Sequence, residues 1–66
     1  MKKENKCYRI YFNDGCYKAD CSFVENGYYY FKTLRFIFYS KKEVINELRH
    51  KWNCIVPRNV CNGYSL

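Results

Sequence analysis

The chain has one histidine, one proline and three glycines in 66 residues, and no apolar run long enough to span a bilayer, which needs about 20 residues. The basic start, MKKENK, has no secretory sequel. Arg9 and Asp14 interrupt CYRIYFND, where a signal peptide needs an unbroken apolar centre. These absences point to a cytoplasmic protein with no membrane partner and with reduced thiols.

Catalytic machinery is equally scarce. His50 has no Ser-His-Asp set around it, no glycine-rich loop could cradle a phosphate, and no acids pair at a useful spacing. Asp14 and Glu25 belong to turns and Glu43 to a helix cap, so the expectation is a non-enzymatic chain with no cofactor.

The five cysteines are an odd number, and no Cys-x-x-Cys occurs. Cys16-x4-Cys21 and His50-x3-Cys54 have ligand-like spacings. His50 and Cys54 fall one helical turn apart, but Cys16 and Cys21 on one strand point to opposite faces unless a bulge intervenes. The cysteines therefore read as small buried hydrophobes rather than zinc ligands, and no metal is expected.

Cations and tyrosines are abundant. Twelve Lys and Arg against six Asp and Glu give a net charge of +6, and eight of the aromatics are Tyr. Such a balance attracts polyanions. It is also what a low-GC genome encodes through its Lys, Asn, Tyr and Ile codons, and it keeps a small domain soluble. A single domain of this size buries only about 60% of its unfolded surface, and a partner or a second copy would add to its thin core.

Turn signals divide the first forty residues. NDG at 13–15 separates the alternating runs KCYRIYF and CYKADCSF, and VENG at 24–27 supplies the next turn. YYYFKTLRFIFY follows as one long strand, or as two broken near Lys32-Thr33. In SKKE the Ser40 hydroxyl and the Glu43 carboxylate form a capping box. Val44, Ile45, Leu48 and Trp52 then line one helical face, with Lys42, Asn46, Arg49 and Lys51 on the other. Pro57 and Asn62-Gly63 make the tail irregular, though CIV could add a short strand.

The expected fold is α+β: a three-stranded, at most four-stranded, antiparallel sheet with one C-terminal helix packed on one face, β-β-β-α. Residues 1–6 form a flexible basic start, 7–39 the sheet, 41–53 the helix and 54–66 the tail. Period-two alternation turns Tyr8, Ile10, Phe12, Tyr17, Ala19, Cys21, Phe23, Leu34, Phe36 and Phe38 inward. The open face then carries Arg9, Tyr11, Lys18, Asp20, Thr33, Arg35 and Tyr39, together with Ile37, Tyr29 and Phe31.

YRIYFNDGCYKA followed by FYSKKEVINEL resembles the AP2-like arm-binding domains of phage and transposon integrases, with Phe38, Ser40, Lys41, Lys42 and Glu43 matching their helix start and Val44 in place of the usual Ala. The resemblance implies a sheet that lies in the DNA major groove. Three functional expectations follow. The first is a phage or mobile-element accessory protein that binds DNA or RNA through Arg9, Tyr11, Lys18, Tyr29, Arg35 and Tyr39. The second is a small inhibitor of a nucleic-acid-handling host protein, of the anti-CRISPR kind, docking by the same aromatic surface in the host cytosol. The third is a structural homodimer.

Overall fold

The computed structural model describes residues 4–61. Asn62-Gly63, read as a turn of the tail, and the first three residues of the basic start lie outside the described residues.

Strands β1 (Asn5–Asn13), β2 (Cys16–Glu25) and β3 (Tyr28–Phe36) form two successive antiparallel hairpins. Both hairpins close through two-residue turns, Asp14-Gly15 and Asn26-Gly27, whose four residues all have positive φ (53°, 78°, 53° and 81°). That geometry matches the strand twist, and Asp, Asn and Gly tolerate it best. β3 runs unbroken through Lys32-Thr33.

Helix α1 (Lys41–His50) follows, opened by the capping box: Glu43 N–H donates to Ser40 Oγ at 3.3 Å and Ser40 N–H to Glu43 Oε1 at 2.7 Å. Asn53 has a φ of 55° and turns the chain back beyond the helix. The helix is thus three residues shorter than the expected 41–53.

The tail is ordered where an irregular segment was expected. β4 (Cys54–Ile55) pairs parallel with β1 at Asn5 and Lys6, and the short helix α2 (Arg58–Cys61) follows Pro57. The sheet is therefore four-stranded and mixed, in the order β3-β2-β1-β4, rather than purely antiparallel. Asn5 fastens this corner: its Nδ2 donates to Trp52 O and its Oδ1 accepts from Val24 N–H, both at 3.0 Å. The strand thus begins inside the stretch expected to be a flexible start.

Val44 and Leu48 of α1 are fully buried against Cys7, Ile10, Ala19, Cys21, Phe23, Leu34 and Phe36, while Val56 and Val60 extend the same core beneath the tail. Cys7, Cys21 and Cys54 lie in it as free thiols.

Three residues expected inside are outside. A bulge in β1 leaves Tyr8 unpaired between the pairs Cys7↔Cys21 and Arg9↔Asp20, so Cys7 takes the inward position and Tyr8 turns to the open face. Phe12 keeps the helix-side parity but sits at the hairpin end, 63% exposed, with only the edge of Tyr17 against its ring. Phe38 follows the end of β3 with a φ of 67° and is 99% exposed, because the chain there is already turning towards α1.

Candidate nucleic-acid interface

The face of the sheet opposite α1 carries a lattice fixed by strand register. One row holds Tyr11, Lys18 and Arg35, the next Arg9, Asp20 and Thr33, the third Lys6, Ser22 and Phe31, with the bulged Tyr8 beside it. Val24 and Tyr29 pair beyond. Five of the six residues proposed from the sequence, Arg9, Tyr11, Lys18, Tyr29 and Arg35, therefore share this face.

Tyr39 does not, and the expectation for it is corrected. β3 ends at Phe36, so Tyr39 lies in the connection to α1, edge-on to Phe36, with its hydroxyl donating to Glu47 Oε2 at 3.2 Å. The Glu47 charge beside it pushes the phenol pKa above its ordinary value. Tyr39 lines a shallow groove over the helix together with Glu43, Asn46, Glu47, His50 and Lys51. Ile37, also expected on the open face, lies in the turn after β3.

Two zones divide the open face. The polar zone is organised by Asp20, whose Oδ1 accepts from Thr33 Oγ1 at 2.7 Å and from Tyr11 Oη at 3.2 Å, while its Oδ2 accepts from Arg9 Nε at 3.2 Å. The Arg9 guanidinium also lies 4.2 Å from the Tyr11 ring centre, a cation–π contact. Thus the charge of Arg9 is compensated by Asp20. Lys18 donates to Asn13 Oδ1 at 2.9 Å and stands 3.7 Å from the Asp14 carboxylate at the hairpin tip. Arg35, directly across from Lys18, has no hydrogen bond or ion pair among the described residues.

The aromatic zone consists of Tyr8, Tyr29 and Phe31, at 45%, 59% and 75% exposure. Tyr8 and Phe31 have ring centres 5.8 Å apart and together cover Ser22, whose hydroxyl donates to Tyr8 Oη at 3.3 Å. Lys6 Nζ sits 5.2 Å from the Tyr8 ring centre. Between the zones lies a shallow depression lined by Tyr11, Asp20, Phe31 and Thr33. Sequence reasoning missed Tyr8 and Lys6 as members of this face, because the bulge that turns Tyr8 outward has no mark in the alternation.

The candidate zinc ligands do not converge among the described residues. Cys16 is buried at the hairpin end with its thiol directed at Asn13 O, Cys21 is in the core, and His50 is exposed on α1. Among the described residues no group of three His, Cys, Asp or Glu is placed to hold a metal ion, and no helix is long and apolar enough to cross a membrane.

What the fold and face define is an α+β domain with one covered and one open sheet face. Compared with known families, curated proteins and solved structures, the chain matches none.

Proposed function

We propose that this chain is a non-catalytic nucleic-acid-binding protein that engages DNA or RNA through the open face of its sheet. The observation that carries the reading is the cross-strand pair Lys18↔Arg35. Like charges directly opposite one another destabilise a sheet, so the arrangement is costly for folding and useful for holding an anion. Four cations, Lys6, Arg9, Lys18 and Arg35, share the face; Asp20 compensates Arg9 and Asp14 stands 3.7 Å from Lys18, which leaves Lys6 and Arg35 without a carboxylate among the described residues. Phosphates pair with such cations while exposed rings stack on bases, and the exposed rings of Tyr8, Tyr29 and Phe31 lie beside them.

The likeness to integrase arm-binding domains adds less. Its motif residues Ser40 and Glu43 are engaged in capping α1, a task common to many helices. A second reading, docking on a nucleic-acid-handling protein in a host cytosol, is favoured by the contiguous Tyr8–Phe31 contact at the apolar end of the face.

Fluorescence anisotropy with labelled single strands, duplex DNA and RNA across a salt series separates the two. Polyanion binding falls linearly in log salt with a slope of about −0.7 to −0.9 per phosphate contacted, whereas a protein interface anchored by buried tyrosines is far less sensitive. Arg35→Ala is expected to weaken nucleic-acid binding severalfold and to reduce the slope by about one, with no loss of melting temperature. A folded variant that binds DNA and RNA as the parent does would overturn the proposal.

A further inference from the structure

The two edges of the sheet are built differently. β4 is two residues long and is followed closely by Pro57, an arrangement that leaves little backbone for another chain to pair with. β3, at the opposite edge, is nine residues long. Its register against β2 has no irregularity from Tyr28 to Phe36, and it contains neither proline nor glycine. Every residue from 28 to 33 is exposed, and four of the six are aromatic. A long aromatic strand of regular register, whose outer side pairs with no other strand among the described residues, is a template for strand addition.

We propose that the occupant of this edge is a second copy of the chain. Two β3 strands would pair antiparallel about a two-fold axis through Phe31 and join two four-stranded sheets into one of eight. The register follows from the side chains. A two-fold normal to the sheet keeps each face on its own side, so residues of like parity must meet.

Centring on Lys32 sets two ammonium groups directly opposite, which is destabilising. Centring on Thr33 brings the partner's start of β3 against the turn at Ile37 and Phe38, where the chain leaves for α1. Centring on Phe31 avoids both faults. It pairs Phe31 with its own copy, Tyr29 with Thr33, and Tyr30 with Lys32, so that each Lys32 meets a tyrosine ring rather than a like charge. Seven residues, 28–34, are then paired on each copy. The two open faces become one surface, with both α1 helices on the other side.

Sedimentation equilibrium of the whole chain over a range of protein and salt concentrations tests this. Dimerisation is expected to strengthen with salt, because each copy carries a net charge of +6 and added ions screen the repulsion. Phe31→Lys introduces like charges across the two-fold and is expected to raise the dimer dissociation constant by about tenfold or more. The side chain is 75% exposed, so circular dichroism and the monomer's melting curve should be retained.

A second variant fixes the register. Opposed residues of an antiparallel pair have Cα atoms about 4.5 to 5.5 Å apart, within disulfide reach. Phe31→Cys should therefore cross-link into a covalent dimer with oxidised glutathione, while Tyr29→Cys and the parent should not. A parent that stays monomeric at every concentration leaves the edge to a strand of another protein, or to none, and overturns the proposal. So does a Phe31→Lys dimer as tight as the parent's, or cross-linking at position 29 but not at 31.

Discussion

Asp20 sits where three strands bring Arg9, Tyr11 and Thr33 onto one carboxylate, and the consequence of removing its charge separates a structural role from a binding one. The Arg9–Asp20 pair is partly solvated, with side chains 43% and 33% exposed, so its own contribution to stability is small. Asp20→Asn keeps an acceptor for Thr33 and Tyr11 but frees the Arg9 guanidinium. The variant should lose about 1 kcal/mol of stability, measured by urea denaturation. If the open face binds phosphates, the same variant should bind nucleic acid more tightly at low salt, with a slope steeper by about one. Arg35→Ala moves binding the other way, so the two together test the sign of the effect as well as its presence. A folded Asp20→Asn protein whose salt slope is that of the parent would remove Arg9 from the contact surface.

At the scale of elements, the two hairpins and the helix start were legible because each is fixed by a few residues with a specific local chemistry. Asp14-Gly15 and Asn26-Gly27 adopt the positive φ their turns require, and Ser40 and Glu43 make both halves of the capping box. The bulge was not legible, since one extra residue in a strand is decided by packing. Cys7 and Ile10 both reach the core, and Tyr8 is what the sheet turns outward to allow it. Nor was the end of β3, where RFIFY continues the strand pattern although Phe38 has already turned into the left-handed region. That single misplaced boundary moved Tyr39 from the candidate face to the helix side.

The tail was hidden for another reason: a two-residue strand and a four-residue helix carry too few positions to show a period, and Asn5, far away in sequence, holds them. The helix itself offers the sharpest packing test. Leu48 is fully buried between α1 and the sheet. Leu48→Ala should cost about 2 to 5 kcal/mol, a large part of the stability of so small a domain, and is read from the shift in the urea midpoint. A loss below about 1 kcal/mol would mean that α1 is not the lid of this core.

For the whole molecule, three buried thiols drawn from β1, β2 and β4 tie global stability to alkaline pH. Cys21 lies directly across from Cys7. The hydrogen bond they share, followed by burial, pushes the Cys21 thiol well above its ordinary value, and the same bond holds Cys7 lower. Burial in turn pushes Cys54 up. In the unfolded chain all three titrate near the ordinary value of 9.0. Above that pH the native state retains the protons of Cys21 and Cys54, which the unfolded state has lost, whereas Cys7, held lower, is ionised in both states. The contribution of Cys21 and Cys54 is therefore complete below about pH 8 and declines as pH rises through 9, by about 1.4 kcal/mol per pH unit for each proton retained.

Melting curves between pH 7 and 9.5 should show a plateau and then a fall, and the window stops short of the tyrosine and lysine titrations near 10. Cys54→Ala should melt lower at pH 7, having lost a buried side chain, yet fall less steeply above pH 8.5. If parent and variant decline in parallel, the alkaline loss comes from groups outside the core, and the buried thiols would then contribute to packing without coupling the fold to pH.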